Sequence, residues 1–398
     1  MPPNGTIEAR VDGTIIMPND VVQKGKTVTF TAMPKTNHKV KEWKVDGAVI
    51  SNTTNTYLEK KLAGYAGTDH CVTCANGTDA LQLALMAWGI KSGDAVFVPD
   101  FTFFSSGEVV PLTGATPVFV DVNARTFNID CDKLEGQIER VVKEGRLKPR
   151  VIVAVDLFGL PADFARLREI ADKYGMYILE DGAQGFGGEI SGRKACSFGD
   201  IATTSFFPAK PLGCYGDGGA LFTDNDEWAD LLKSYRVHGK GANKYDNIRI
   251  GLNSRLDTVQ AAVLDIKLDA FEEYELEAVN DASRKYDERL KKIVETPYVP
   301  DNMLSSWAQY TIKLKDRDTR DDLQQFLKSE DIPSMIYYRK SMHCQDAFKD
   351  NGYIYRDEDY KVTVELCDRV LSLPMHPYLS ESDIDTVTGA VKSFLARR

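Results

Sequence analysis

No apolar run approaches the roughly eighteen residues that a membrane-crossing helix needs. The opening MPPNGTIEARVDG lacks a basic stretch followed by an apolar one, so no secretory leader is expected. Cysteine is sparse, seven in 398 residues and odd in number, which argues against a disulfide framework. Basic charge is short as well. The 49 Lys and Arg stand against 59 Asp and Glu, a net charge of −10, and general nucleic-acid binding is not expected. An anionic small substrate is not barred, because a local pocket can oppose the global sign. There is no clear internal repeat or low-complexity tract. What remains is 43% hydrophobic and 27% charged, the balance of a soluble chain with a large core, two or three domains and a cytoplasmic setting.

One Cys-x-x-Cys pair, Cys71 and Cys74, could be redox-active or metal-binding. No second pair has matching spacing, and both lie in a short apolar, strand-like run. Small buried residues are the simpler reading, so no metal site is expected.

Residues 1 to about 55 differ from the rest. Strand-like runs at 6–11, 28–32 and 40–45 are punctuated by Gly13, Pro18-Asn19, Gly25 and Gly47, without helical period. Gly25-Lys26-Thr27 mimics the end of a phosphate loop. Asp20 stands where the first glycine belongs, however, and the flanks read as strands.

From about residue 56, helices and strands alternate. TYLEKKLAGYAG reads as a helix closed by glycine, and 70–74 as a strand. Asn76-Gly77-Thr78-Asp79 then opens an apolar helix over 80–88. Free N–H groups and the dipole at a helix start favour phosphate, and Thr78 adds a hydroxyl; a plain N-cap reads equally well. Strand 95–98 leads to Pro99-Asp100-Phe101-Thr102-Phe103, where an aromatic could stack on a flat cofactor or fill core. Strands at 117–122 and 151–155, with helices near 131–143 and 163–174, continue the alternation. Such units indicate a parallel-rich sheet covered on both faces, with ligands at its strand ends.

The stretch 177–220 concentrates the chemistry. An apolar run ends in Glu180-Asp181, as a buried strand does when it delivers a carboxylate to its C-terminal edge. A second run delivers Ser205 and then Lys210, followed by Gly213, Gly216, Gly218 and Gly219. Acid, lysine and a glycine-rich, phosphate-sized surround suggest a pyridoxal phosphate site. The lysine would form the Schiff base, the aspartate would keep the ring nitrogen protonated and the serine would hold phosphate.

A helix is expected over 228–236, then a polar segment with His238, Arg249, Asn253 and Arg255, then a long helix from Asp257. The polar segment reads as a solvated loop or as an anion-binding arm. From about residue 270 the chain is more charged. Helices at 282–294, 320–329, 362–370 and after Ser380, a strand at 309–314 and the run 335–338 read as a smaller α+β domain. His343 and His376 lie in its loops and could be structural or face a site.

From about residue 57 onward the chain resembles the DegT/StrS-type sugar aminotransferases. The resemblance rests on CANGTDALQLAL, VPDFTFFSS, EDGAQGFGG, SFGDIATTSFFPAKPLGCYGDGGAL and YDNIRIGLNSRLDTVQAAVL, in that order. It implies an α/β protein of aminotransferase fold type I. A mostly parallel large domain over 56–269 would precede a small α+β domain over 270–398. It implies the cofactor pyridoxal 5'-phosphate, with Lys210 as the Schiff-base lysine, Asp181 on the ring nitrogen and Gln184 on the ring-hydroxyl side. Phe103 would stack on the ring; Gly77, Thr78, Asp79 and Ser205 would surround the phosphate. Asn253 matches a residue that reaches the cofactor of a neighbouring subunit, which implies a homodimer with shared active sites. Lysine, where dehydratase relatives carry histidine, favours transamination from an amino acid donor such as glutamate.

YDNIRIGLNSRLDT most resembles enzymes acting on UDP-2-acetamido-2-deoxy-3-keto-glucuronate for bacterial surface polysaccharide. Arg255 would face the sugar carboxylate, with Tyr338 and His343 on the substrate side. The chain departs at IYYRKSMH, where relatives more often carry proline after the tyrosines and leucine before the histidine. A 4-keto nucleotide sugar is the alternative substrate. The front departs too: 1–55 resembles an internalin-B-type β repeat, on KGKTVTFTAMP, VKEWKVDGAVI and SNTTNTY. Such modules bind or space, so a binding-only chimera is the alternative from another class.

Overall fold

In the computed structural model, the described residues are 5–11, 14–16, 28–34, 43–45, 48–50, 52–243, 245–349 and 353–397. They fall into two compact units, Met1–Thr54 and Asn55–Arg398. In the first, Gly5–Val11 pairs antiparallel with both Thr14–Ile16 and Val28–Pro34, and Trp43–Val45 pairs antiparallel with Ala48–Ile50. The strands expected at 6–11 and 28–32 are present. Of the run expected at 40–45, only the last three residues are described, and they form a strand. Gly25-Lys26-Thr27 lies outside the described residues.

The second unit is built on strands buried on both faces. Val96 and Val98 enter one core cluster while Ala95 and Phe97 enter another, as the two-residue side-chain period of a strand requires. The same split separates Val151 and Val153 from Ile152 and Ala154. Such strands read as continuous apolar runs, and the covering layers come from the helices between them.

Helix α1 (Asn52–Ala66) precedes β1 (His70–Cys74), α2 (Gly77–Ala87), β2 (Asp94–Pro99), α3 (Ser105–Leu112) and β3 (Thr116–Val120). Then come α4 (Cys131–Glu144), β4 (Lys148–Val155), α5 (Phe164–Tyr174), β5 (Tyr177–Asp181), β6 (Ile201–Ser205) and β7 (Gly219–Thr223). The seven strands form one sheet in the order β1-β7-β6-β5-β4-β2-β3. β7 runs antiparallel to both its neighbours, whereas the pairs from β6 through β3 are parallel.

Register decides where the site forms. Asp181 lies level with Val155 and Thr203, so β4 and β5 end on one line and β6 runs two residues further, to Ser205. Gly219 pairs with Ser205 on one side and Cys74 on the other, which draws the start of α2 toward Ser205. Cys71 and Cys74 stand three residues apart in β1 and enter different core clusters, so the two thiols cannot share a ligand.

Helix α6 (Asp226–Tyr235) is followed by a loop and then α7 (Thr258–Ala270), which continues through a π-helical turn, Phe271–Glu275, into α8 (Leu276–Leu290). The remainder pairs Tyr310–Lys313 antiparallel with Val370–Leu373 and adds helices Arg317–Ser329, Lys361–Arg369 and Glu381–Leu395. Two local expectations are corrected. Val370 begins a strand instead of ending a helix, and the helix expected over 282–294 starts earlier within a longer run; α3 falls where no element was expected.

Candidate active site

Asp181 closes β5 with its carboxylate buried. Ser106 donates from Oγ to Asp181 Oδ2 at 2.7 Å, and Ser106 in turn lies 3.1 Å from Thr102 Oγ1. The Ala183 N–H donates to Oδ1 at 3.3 Å. Burial pushes the carboxyl above its ordinary value, while the Ser106 bond and the charge of Lys210 pull it back. Burial lowers the Lys210 amine, and Asp181 opposes that shift. Each group therefore offsets part of the other's desolvation.

A second feature lies at the N-terminus of α2. Asn76 caps it, accepting the Asp79 N–H at Oδ1 (2.8 Å) and the Ala80 N–H at its carbonyl (3.1 Å). The N–H groups of Gly77 and Thr78 precede this first intrahelical bond, so the helix itself gives them no partner. Glycine is required by space. A Cβ on Gly77 would lie 2.8 Å from Ser205 Cβ, and one on Gly219 would lie 2.5 Å from the Asn76 carbonyl. Thr78 Oγ1 meets Ser105 Oγ at 2.7 Å, and Ser205 Oγ accepts the Phe207 N–H at 3.3 Å. Helix start, hydroxyls and close backbone approach together make an anion cradle.

Phe103 and Tyr338 form a tilted aromatic pair. Phe103 is 55% exposed, an unusual position for a phenylalanine unless another flat group covers it. Its ring centroid lies 6.5 Å from that of Tyr338. Gln184 accepts the Phe158 N–H at 2.7 Å and donates to the Tyr338 hydroxyl at 3.2 Å, so its amide orientation is set at both ends.

Three expected residues are placed apart from this group. Ser254 is buried, its Oγ accepting the Ala75 N–H at 3.1 Å. Asn253 and Arg255 on either side are exposed, and Arg255 Nη2 donates to Asn253 Oδ1 at 2.8 Å. His343 is buried. Its side chain is 2% exposed, with Nδ1 2.6 Å from Asp100 Oδ2 and the ring stacked on Tyr360 at 4.2 Å. Its backbone N–H and Nδ1 are both engaged by Asp100, which fixes the ring. Ser105, Ser106 and the anchoring role of Asp100 were not singled out from the sequence, whereas Asn76 was read as a helix opener. The phrase VPDFTFFSS carries the first three, and polar residues directly after a buried strand were the available signal.

The DegT/DnrJ/EryC1/StrS aminotransferase family matches residues 32–392. The chain belongs to this family. It is 41% identical over 348 residues, 87% of this chain and 92% of the other, to a Pseudomonas aeruginosa UDP-2-acetamido-2-deoxy-3-oxo-D-glucuronate aminotransferase. A UDP-N-acetyl-3-dehydro-alpha-D-glucosamine 3-aminotransferase from Acidithiobacillus ferrooxidans is 37% identical over 355 residues, covering 88% of this chain and 91% of that one. A solved DegT DnrJ EryC1 StrS aminotransferase from Brucella abortus superposes with TM-score 0.83 at 50% identity, covering 86% and 90%. The protein is thus an aminotransferase of fold type I.

DegT-family aminotransferases are pyridoxal-phosphate dependent. The residues present fit that cofactor. Asp181 is a buried carboxylate whose cost a protonated ring nitrogen would offset, Lys210 stands beside it electrostatically, and the Gly77–Ser205 contact leaves backbone bare where a phosphate would sit. Among the described residues, no helix is long and apolar enough to cross a membrane.

Proposed function

We propose that this DegT-family protein transfers an amino group from an amino acid, such as glutamate, to C3 of UDP-2-acetamido-2-deoxy-3-keto-glucuronate. The reaction would take place in the cytoplasm and supply an amino sugar acid for surface polysaccharide. The observation that carries the substrate is the 41% identity to the P. aeruginosa relative named for that activity. The A. ferrooxidans relative is named for a 3-dehydro sugar as well, but one without a uronate carboxylate. The two substrates share a 3-keto group and differ in charge, which makes Arg255 the discriminating residue.

When bound, pyridoxal phosphate supplies an electron sink for the carbon that gains or loses the amine. Asp181 would hold a proton on the ring nitrogen through an ion pair in a buried setting. Lys210 would hold the cofactor through Nζ and, when freed, its amine would serve as the general base for the donor carbon. Burial serves this role: it disfavours the charged form of the amine, while the Asp181 charge opposes that shift. Gly77, Thr78, Asp79 and Ser205 would hold the phosphate, Phe103 would stack on the ring and Gln184 would lie on its hydroxyl side. Tyr338, bonded to Gln184, lines the substrate side.

We assign Asn253 and Arg255 to a partner subunit's site in a homodimer. Both point outward beside buried Ser254, and the arm that carries them exposes Tyr245 and Ile250, at 86% and 90%. Apolar side chains this open indicate a covered face. Mixing inactive Lys210→Ala and Asn253→Ala subunits tests the sharing. Random reassociation should restore about a quarter of wild-type activity, since half the dimers carry one intact site. Activity that stays at the level of the separate variants rules out sharing.

Arg255→Ala should lower kcat/KM for the keto-uronate by about 10- to 100-fold, the worth of a lost hydrogen bond to a charged group. A neutral keto hexose should be converted about as well as by the wild type. Equal losses on both substrates would remove Arg255 from the carboxylate role.

A further inference from the structure

We infer that His343, Cys344 and Asp357 form a binding site for a divalent cation of the zinc class. His343 is anchored from behind. Its N–H donates to Asp100 Oδ1 at 2.8 Å and its Nδ1 lies 2.6 Å from Oδ2 of the same carboxylate, whose side chain is 0% exposed. Tyr360 fixes the ring plane by stacking. A buried carboxylate on Nδ1 holds the proton there and presents the lone pair of Nε2 outward, the arrangement that orients metal-binding histidines.

Nε2 points at two further ligand types. Cys344 Sγ lies 3.2 Å away and Asp357 Oδ1 3.5 Å away, and the three atoms all lie within 4.8 Å of one another. Zinc bonds of about 2.0–2.3 Å in a tetrahedron place neighbouring ligand atoms about 3.3–3.8 Å apart. The two distances from Nε2 are therefore close to edges of a zinc tetrahedron. Asp357 is 89% exposed, so its side chain is free to complete the third edge. Cys344 is exposed as well, which gives a cation an entry path.

The donor set selects the ion. One imidazole nitrogen, one thiol sulfur and one carboxylate oxygen suit a borderline-soft cation and not calcium or magnesium, which take oxygen. Three protein ligands leave the fourth position to water. A bound ion would tie the loop that carries Tyr338 and His343 to the turn Asp357–Asp359, so its role is structural. Sequence spacing conceals the site, because Asp357 lies thirteen positions after Cys344 and the anchor, Asp100, lies 243 before His343.

The test uses the full-length, cofactor-loaded protein with Zn²⁺ alone in equilibrium dialysis, and with Co²⁺ as a spectroscopic probe. One equivalent of Zn²⁺ should bind, and Co²⁺ should show a thiolate charge-transfer band. Cys344→Ser should abolish the band, and both it and Asp357→Asn should weaken Zn²⁺ binding at least about tenfold; these surface changes leave the core intact. Asp100→Asn should weaken binding about 10- to 100-fold through the histidine. Zinc should raise Tm in the wild type and not in Cys344→Ser. Binding that is substoichiometric, or that survives both surface substitutions with the cobalt band unchanged, overturns the assignment. So would competition by excess Mg²⁺.

Discussion

Replacing Lys210 by alanine removes transamination, with kcat falling by at least about 10⁴-fold, because the same amine attaches the cofactor and carries the proton. Few single changes combine both losses. The Lys210 charge offsets part of the desolvation of Asp181, so the variant should fold with a somewhat lowered Tm. Mass spectrometry separates this outcome from unfolding. Borohydride treatment of the wild type should fix the cofactor on the peptide containing Lys210, and the variant should show no modified peptide. Retention of activity within tenfold of wild type would place the lysine outside the chemistry.

Asp181→Asn has the next largest effect. Asparagine keeps the shape and can still accept from Ser106, now bonded at 2.7 Å, but it cannot pair with a protonated ring nitrogen. We expect kcat to fall about 10²- to 10³-fold, the loss typical when one preorganised electrostatic partner is removed. Cofactor affinity should fall with it. A variant within threefold of wild type would mean that the hydrogen bond suffices and the charge does not matter. Steady-state kinetics at saturating cofactor separate the loss in kcat from the loss in binding.

How much of this was legible in the sequence depends on the range of the interaction. Strand β1 coincides with the expected 70–74, and β5 ends on the aspartate that closes its apolar run, because alternating burial on two faces leaves a local signature. Helix α3 was missed for equally local reasons. It opens Ser105-Ser106-Gly107 and contains Pro111, all residues that read as loop. It is held by packing: Gly107 lies so close to Met342 that an added Cβ would meet its Cε at 2.5 Å. The strand Val370–Leu373 was hidden in the same way, since its pairing with Tyr310–Lys313 overrides a helical phrase.

Within the site, the acid, the lysine and the glycines were legible because they lie at or near the ends of apolar strand runs. Their supports were not. The Ser106–Asp181 bond spans 75 positions and exists only because the sheet order places β2 beside β4 and β4 beside β5. From its residue type and loop position His343 could be structural or face a site, and the Asp100 carboxylate that anchors it lies 243 positions away. A titratable side chain in a loop is visible in a sequence; the carboxylate that occupies it is not.

The most direct measurement supplies UDP-2-acetamido-2-deoxy-3-keto-glucuronate with ¹⁵N-glutamate to the purified, cofactor-loaded protein and follows the nucleotide sugar by mass spectrometry and NMR. Our account predicts that ¹⁵N appears as an amine on C3 of the sugar, with 2-oxoglutarate formed in equal amount. If the keto-uronate is recovered unchanged while a 4-keto nucleotide hexose takes up the label under the same conditions, the substrate assignment is contradicted.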